Sequence, residues 1–548
     1  VAGESASSNI WVMSRSHGRT LRPGGRGRTL SVVTEETAEH PARPRRKGRR
    51  VDTGPKIIEQ PAPRAHRRAF EPTRVVSDDE LEAIHQASLT LLSTTGMDVL
   101  LPQAQQLFLQ NGASLDGDRM RFDPEMILDF VGSAPAEFTM HARNPARSQQ
   151  IGGDNVVFTA VGSPPNSGDI VGGRRTGNHQ DFIDLVKLSQ HLNAVQLHAG
   201  YPVEPADIHA SVRHLHAIRD IVTLSDKPVN AYSLGAQRNR DALEILRLAH
   251  GLTDDEVDEK SIVYTVINTS SPLRLDHPMA TGIIEYAGRG QASIITPFTL
   301  AGAMAPVTIA GAVVQQNAEA LVGIALSQIV RRGAPIVYGG FTSNVDMKSG
   351  SPAFGTPEFM QSAMLGGQLA RRYGLPYRSS NVNAANAVDA QAAYESVFSL
   401  WGAVMGGANV VYHGAGWLEG GLRASFEKMV LDADLINMVG SFLAPLIVDQ
   451  ATMALDAIDE VGPGGHFFGT QHTQDRYRTA FFAPMISDWR NFEAWEEAGS
   501  PTADQKAASL YRTLLAEYQT PPFDADREAA VNEFVDRRIA EGGVETDF

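Results

Sequence analysis

Eight short apolar segments alternate with helix-forming segments between Val156 and about Asp459. That rhythm restricts the chain to a parallel α/β architecture. The predicted strands are Val156–Thr159, Ala194–Ala199, Val229–Tyr232, Ile262–Asn268, Ser293–Phe298, Ile336–Gly339, Tyr377–Ser380 and Asn409–Gly414. Each is followed by a stretch long enough for the crossover that parallel neighbours require. The expected fold is a (β/α)8 TIM barrel over 151–460. A basic, irregular arm (1–74) and a helical extension (75–150) precede it, and a C-terminal loop with helices packing on the barrel (461–548) follows. Ser77 with Glu80 reads as a capping box opening the first helix.

Barrel enzymes place their chemistry at the C-terminal ends of the strands. There this chain carries His198, Tyr201, Asn230, Tyr232, Asn268, Phe298, Phe341, Arg378, Asn381, His413 and Trp417. Arg378 and His413 end the seventh and eighth strands, which are neighbours in a barrel. Both can donate to one carboxylate, the guanidinium as a fixed fork; the alternative is a structural pair capping the strand ends. Asn230, Tyr232 and Asn268 are candidates for the opposite wall. Phe298, Phe341, Phe354, Tyr412 and Trp417 offer aromatic surface. An aromatic wall beside a carboxylate clamp suits a small zwitterion bearing a quaternary ammonium. Asp346, Glu358 and Glu419 are the acidic candidates and Glu319 the weakest of that type. A carboxylate near the ammonium strengthens ground-state binding, which does not by itself raise the chemical rate.

Composition removes other chemistries. The chain has 548 residues and no cysteine, so disulfides, thiolate catalysis and Cys-ligated metal sites are excluded. No long uninterrupted apolar run and no N-terminal apolar h-region occur, so the expected location is cytoplasmic, without membrane association. Residues 1–74 hold 16 Lys and Arg against 7 Asp and Glu, whereas the whole chain is at −15. The acidic body argues against a nucleic-acid enzyme. The basic arm reads as solubilising or subunit-wrapping, with an acidic partner as the alternative. No dinucleotide fingerprint or phosphate loop is present, and residues 160–177 have the composition of a lid. His466 and His472, with Asp475, allow a metal-site reading, a hydrolase on this fold being the corresponding function; a packing or partner-contact loop is the favoured reading, and no metal is expected. His209, His214 and His216 read as surface or core residues.

Gly462-Pro463-Gly464-Gly465-His466-Phe467, His472-Thr473, Arg476 and Pro484 resemble the C-terminal signature of the trimethylamine methyltransferase family. Tyr338-Gly339-Gly340-Phe341 through Asp346 to Gly355-Thr356-Pro357-Glu358 resembles the same family, as does His413-Gly414-Ala415-Gly416-Trp417. The resemblance spans about 75 to 515. It implies a barrel that demethylates methylated amines and passes the methyl group to Co(I) of a corrinoid, cobalamin-type, on a separate protein. The archaeal trimethylamine enzymes carry pyrrolysine; this chain has none and so resembles the branch acting on quaternary amines. Glycine betaine is the expected donor, with proline betaine, carnitine or a sulfonium analogue, a folate acceptor, or a binding-only protein as alternatives. The resemblance also implies that Arg378 and His413 hold a substrate carboxylate and that Asn230 makes a further polar contact. Tyr232, Asn268, Phe298, Phe341, Phe354 and Trp417 complete the expected substrate set, and His466 and His472 are the expected corrinoid contacts. No catalytic side chain is expected, because in-line transfer from an activated ammonium needs only positioning. A homo-oligomer is expected.

Overall fold

The computed structural model describes residues 60–545 except 64 and 118, so most of the basic arm lies outside the described residues. At the centre is an eight-stranded sheet. In chain order its strands are β1 (His66–Arg67), β2 (Asn155–Ala160), β3 (Val229–Asn230), β4 (Val263–Ile267), β5 (Ala292–Ile295), β6 (Ile336–Gly339), β7 (Tyr377–Ser380) and β8 (Val410–Ala415). Their spatial order is β1-β2-β8-β7-β6-β5-β4-β3. All neighbours are parallel except β1, which runs antiparallel to β2.

The closed (β/α)8 barrel expected from the sequence does not form. The sheet is an open half-barrel whose edges stand 19 Å apart. The expected second strand, 194–199, contributes a single isolated bridge, Leu197 to Thr159. Its residues explain the failure. The Gln196 side-chain oxygen accepts the Phe158 N–H at 2.8 Å, a place that a ladder carbonyl fills in a true strand pair. On the other side, β3 is only two residues long and follows Pro228, which has no N–H to give. The segment keeps four main-chain bonds, from Gln196 and Leu197 N–H to the Phe158 carbonyl, from Ala160 N–H to the Leu197 carbonyl and from His198 N–H to the Pro228 carbonyl, and two phenols add to them: Tyr264 donates to the His198 carbonyl at 2.6 Å and Tyr412 to the Ala199 carbonyl at 2.7 Å.

Period-two alternation assigns the two faces of the curl. Val157, Tyr264, Ile294, Val337, Val410 and Tyr412 form an inner core, completed from below by Phe138, Met140 and Ile151. Those three come from an antiparallel pair, Glu137–Met140 with Gln149–Gly152. Val156, Phe158, Val263, Ile267, Ile295, Ile336 and Tyr338 point outward into the larger core shared with the helices. The helix Ile309–Val330 is long and apolar enough to cross a membrane, but 78% of its apolar window is buried inside this protein. It packs against Asp78–Thr94, Pro124–Val131 and His277–Gly288, which makes it a core helix. The capping box at Ser77 and Glu80 is present.

Two smaller sheets rise beyond the strand ends. Phe298–Ala301 pairs in parallel with Phe341–Val345, so the predicted strand Ser293–Phe298 is divided between two sheets. Residues 160–177 are not an irregular lid: Asn166–Asp169 and Gly173–Thr176 make a hairpin that joins Arg423–Ser425 and Trp417–Leu418. After the helix Phe426–Phe442, residues 444–485 contain only two buried side chains, Ala457 and Thr470. The helices Ala503–Ala516 and Ala525–Ala540 then return to the body, against Phe426–Phe442 and against Arg213–Leu224 and Ala236–His250.

His198 carries a testable consequence of burial. Ser225 donates to Gln190, so the His198 Nε2 donates to Ser225 Oγ, at 2.6 Å. Burial, with a smaller effect of Lys227, pulls this imidazole down to about 3. A base with a depressed folded pKa stabilises the fold at neutral pH and loses that contribution as pH falls below the unfolded value of about 6.5. This group alone lowers the unfolding free energy by about 1.4 kcal/mol per pH unit between pH 6 and 4. Urea unfolding of wild type and His198→Asn across that range checks it; the variant is expected to show a shallower slope.

Candidate active site

Arg378 is the second residue of β7, and the alternation that sends Tyr377 outward turns its side chain into the curl. It is 2% exposed. Its guanidinium lies between two rings, 5.1 Å from the centroid of Phe341 and 4.9 Å from that of Tyr412. Its Nε and Nη1 have no hydrogen-bond partner, and among the described residues no carboxylate pairs with it. Burial pulls its pKa down to about 10, which leaves it charged at neutral pH. A buried, charged and unmatched guanidinium is costly unless an anion joins it.

His413 sits beside it on β8, at a bulge. Register against β2 slips between Val411 and Ala415, and His413 takes a left-handed backbone with φ 54°. Such a conformation is strained for a residue with a Cβ, and bulges of this kind re-aim side chains beside active sites. Thr159 Oγ1 fixes the kink by accepting the His413 N–H at 3.0 Å. The imidazole stacks on the Trp417 indole with centroids 5.2 Å apart and planes 17° from parallel. Its buried Nδ1 has no partner. Burial, then the Arg378 charge, holds it well below the usual histidine range, so the ring is neutral.

The predicted aromatic residues come together. Phe298 and Phe341 face one another in register, with ring centroids 5.1 Å apart. Phe354 lies 5.8 Å from Phe341 and 5.3 Å from Trp417. Trp417 itself depends on Gly421: a Cβ there would stand 2.6 Å from the indole. Asn230 is 1% exposed on the inner face of β3, beside Tyr264, and neither atom of its amide group has a partner. Tyr232 and Asn268 do structural work. The Tyr232 hydroxyl accepts from the Tyr201 N–H at 2.9 Å and from Ser163 at 2.8 Å. Exposed Asn268 donates to the Thr296 carbonyl at 2.8 Å.

Three of the four acidic candidates are occupied elsewhere. Glu419 pairs with Arg174 and Arg423, and Asp346 caps its own turn. Glu319 is fully buried and accepts from Thr269, Ser271, the Leu273 N–H and Gln315 at 2.5–2.9 Å, which staples the loop after β4 to the core helix. Exposed His466 faces Phe468 at 5.9 Å, and half-buried His472 follows on the next helical turn. No hydrogen bond, ion pair or ring contact among the described residues joins either to Arg378, His413 or the aromatic cluster. No group of three or more His, Asp or Glu among the described residues is arranged to hold a metal ion.

Sequence reasoning missed a polar brace beneath the site. Lys428 donates to Ser396 at 2.7 Å and pairs with Asp432, whose other oxygen accepts the Gly416 N–H at 2.9 Å, directly before Trp417. The available signal was a Lys and an Asp one turn apart on a helix that also carries Glu427 and Asp434 among its apolar residues.

The trimethylamine methyltransferase (MTTB) family matches residues 42–543. A glycine betaine methyltransferase of Desulfitobacterium hafniense (strain Y51) is 35% identical over 472 residues, covering 86% of this chain and 98% of that protein. Trimethylamine methyltransferase MttB of D. hafniense (strain DSM 10664 / DCB-2) is 28% identical, covering 85% and 94%. The crystal structure of the hydroxylamine MtmB complex aligns over 87% of this chain and 96% of that one, with a TM-score of 0.44 and 12% identity. The half-barrel, with its unmatched guanidinium and aromatic cluster, is the scaffold of a methyltransferase, and the chain belongs to the trimethylamine methyltransferase family.

Proposed function

We propose that the chain demethylates glycine betaine and delivers the methyl group to a corrinoid carried by a separate protein. The observation that carries this is Arg378, buried without an anion and sharing the Phe341 ring with the aromatic cluster. A substrate carboxylate supplies the missing anion, and the Asn230 amide and His413 Nδ1 are free to complete its contacts. The trimethylammonium end meets the rings of Phe298, Phe341, Phe354 and Trp417, which attract a desolvated cation. Because Phe341 is common to both ends, the arrangement favours a short spacing between carboxylate and ammonium, as in glycine betaine, over the longer spacing of carnitine.

In the reaction one N–CH3 bond breaks and its electron pair stays on nitrogen, giving dimethylglycine. The methyl group moves to the acceptor, for which a Co(I) corrinoid supplies the nucleophilic electron pair when it meets the mouth. The side chains gathered here are rings, an imidazole and a guanidinium, in a chain without cysteine, a set that orients a donor rather than accepting its methyl group. Their task is to hold one N–CH3 bond in line with the approach from outside.

The test is methyl transfer to chemically reduced cobalamin with a panel of glycine betaine, proline betaine, carnitine and a sulfonium analogue. Glycine betaine is expected to give methylcobalamin fastest. Turnover with another member alone replaces the donor, and tight betaine binding with verified Co(I) but no transfer makes this a binding protein. Removal of the cage wall is a second check. Trp417→Ala is expected to raise the betaine Kd roughly 10–30-fold, the size of a desolvated cation–π contact. The same change should weaken 3,3-dimethylbutanoate, the isostere whose tert-butyl group replaces the ammonium without its charge, much less, which calorimetry of both ligands reads directly.

A further inference from the structure

The buried hydroxyls of Thr265, Ser293, Thr296 and Ser380 on the central sheet have no hydrogen-bond partner among the described residues. Alternation turns the first two outward, since Tyr264, Ala292 and Ile294 face the inner core. It turns the last two inward. Thr296 continues β5 by one residue, its N–H donating to the Ile267 carbonyl at 2.7 Å, and falls on the same face as Ile294. Ser380 lies two residues after Arg378 on β7, on the same face, in register with Tyr412. Both are 0% exposed. A buried hydroxyl without a partner costs free energy, and these two stand on the wall that carries the unmatched guanidinium. Gly339 links them to it. This glycine is the ladder partner of Arg378. A Cβ at 339 would stand 2.0 Å from Thr296 Oγ1, so that hydroxyl fills the place of the missing side chain, over the backbone of β6. It is thereby set one strand spacing, about 4.8 Å, from the root of the Arg378 side chain.

We propose that Thr296 and Ser380 donate to the substrate carboxylate beside Arg378, and that Gly339 is what lets the first of these hydroxyls reach it. The inference rests on the betaine reading above and adds to it the residues that select a donor bearing an acid group. The chemistry of the set carries it. Arg378 Nε and Nη1 and the two hydroxyls can all donate, and none has an acceptor. A carboxylate offers about four lone-pair sites on two oxygens, enough for a guanidinium fork and two hydroxyls at once. A quaternary ammonium without an acid group offers none. It would meet the rings and leave every one of these donors unmatched. A site built in this way discriminates by penalty as well as attraction, since a ligand lacking the acceptor leaves buried donors unpaired.

Calorimetry of the full chain with glycine betaine and with tetramethylammonium tests this without any methyl transfer. Thr296→Val and Ser380→Ala are each expected to raise the betaine Kd about tenfold, the weight of a hydrogen bond to a charged group, and to leave the tetramethylammonium Kd unchanged. In the free protein each change removes a buried hydroxyl that bonds to nothing, so the melting temperature is expected to hold or rise. A hydroxyl with a structural role would lower it. Thr296→Ser keeps the donor and is expected to bind betaine as wild type does. Ser380→Ala, which deletes a single heavy atom, carries the test if Thr296→Val does not fold. Unchanged betaine affinity in either folded variant removes that hydroxyl from the carboxylate. Equal losses for betaine and tetramethylammonium overturn the proposal while the donor reading stands. A wild-type chain that binds tetramethylammonium as tightly as betaine overturns both.

Discussion

Arg378→Met is expected to lower kcat/KM for glycine betaine by about 10²–10³-fold and to leave the unliganded protein as stable as wild type or more so. Truncating one partner of a buried charge pair costs about 2–5 kcal/mol of binding, because the surviving carboxylate enters an apolar site alone. In the free enzyme the sign reverses. Arg378 is 2% exposed with two unpaired nitrogens, so an apolar side chain of similar reach removes a buried charge that only the Phe341 and Tyr412 rings offset. A purely structural arginine gives the opposite pair of results, a lower melting temperature with betaine affinity intact. Arg378→Lys separates charge from shape: it keeps the cation, loses the fork, and is expected to recover only part of the affinity. The pH profile follows from the same site. The guanidinium, at about 10, is charged through neutral pH, and His413 is already neutral there. Betaine affinity is therefore expected to be flat from about pH 6 to 8 and to weaken only as pH rises toward 10. A titration near pH 6.5 in the binding isotherms would contradict that assignment for His413.

Glu319→Ala is expected to cost about 3–4 kcal/mol of stability, read as a shift of the urea midpoint. Four donors lose their acceptor at once. Hydroxyls of Thr269 and Ser271 can turn elsewhere and the Gln315 amide keeps its bond to the Met304 carbonyl, but its second N–H and the Leu273 N–H lose their acceptor. Buried donors left unsatisfied cost about 1–3 kcal/mol each, and bonds to a carboxylate are stronger than average. Glu319→Gln keeps the volume and one acceptor oxygen while facing donors with its NH2 group, and should fall between the two. Since the stapled loop follows β4 at the mouth, kcat/KM is expected to fall with stability in the alanine variant. An unchanged urea midpoint would show that the loop holds itself.

Strand positions were legible because period-two alternation and turn residues bracket them. Ile336–Gly339 and Tyr377–Ser380 occur as expected, and the others shift by one or two residues, apart from 293–298, which ends three residues early at Ile295, and 194–199. Closure of the barrel was not legible. The segment 194–199 has the composition of a strand, and what prevents its ladder is a side-chain bond from Gln196 and the missing N–H of Pro228, which act on neighbours distant in sequence. The site divides along the same line. Arg378, Asn230 and Trp417 stood out in the sequence because a charged, amide or indole group at the end of an apolar strand has few structural uses, and their part in binding is what the betaine experiments test. Tyr232 and Asn268 carried the same signature but are held by Ser163, Tyr201 and Thr296, contacts set by packing. Glu319 looked weak because it lies on a buried helix rather than at a strand end, which is a setting in which a satisfied carboxylate fixes a loop.

The seam left by the failed second strand bears on how such a site changes over evolutionary time. A residue inside a parallel ladder moves only in whole register steps, each of which turns its neighbours to the wrong face. Residues 194–199 carry a single bridge and are less restricted. Beside four main-chain bonds they are held by two phenols, Tyr264 and Tyr412, and Tyr412 is also the ring on which Arg378 rests. A substitution at either tyrosine can shift that wall by fractions of an ångström while every strand keeps its pairing. Donor preference is therefore free to drift at the seam without the scaffold being rebuilt.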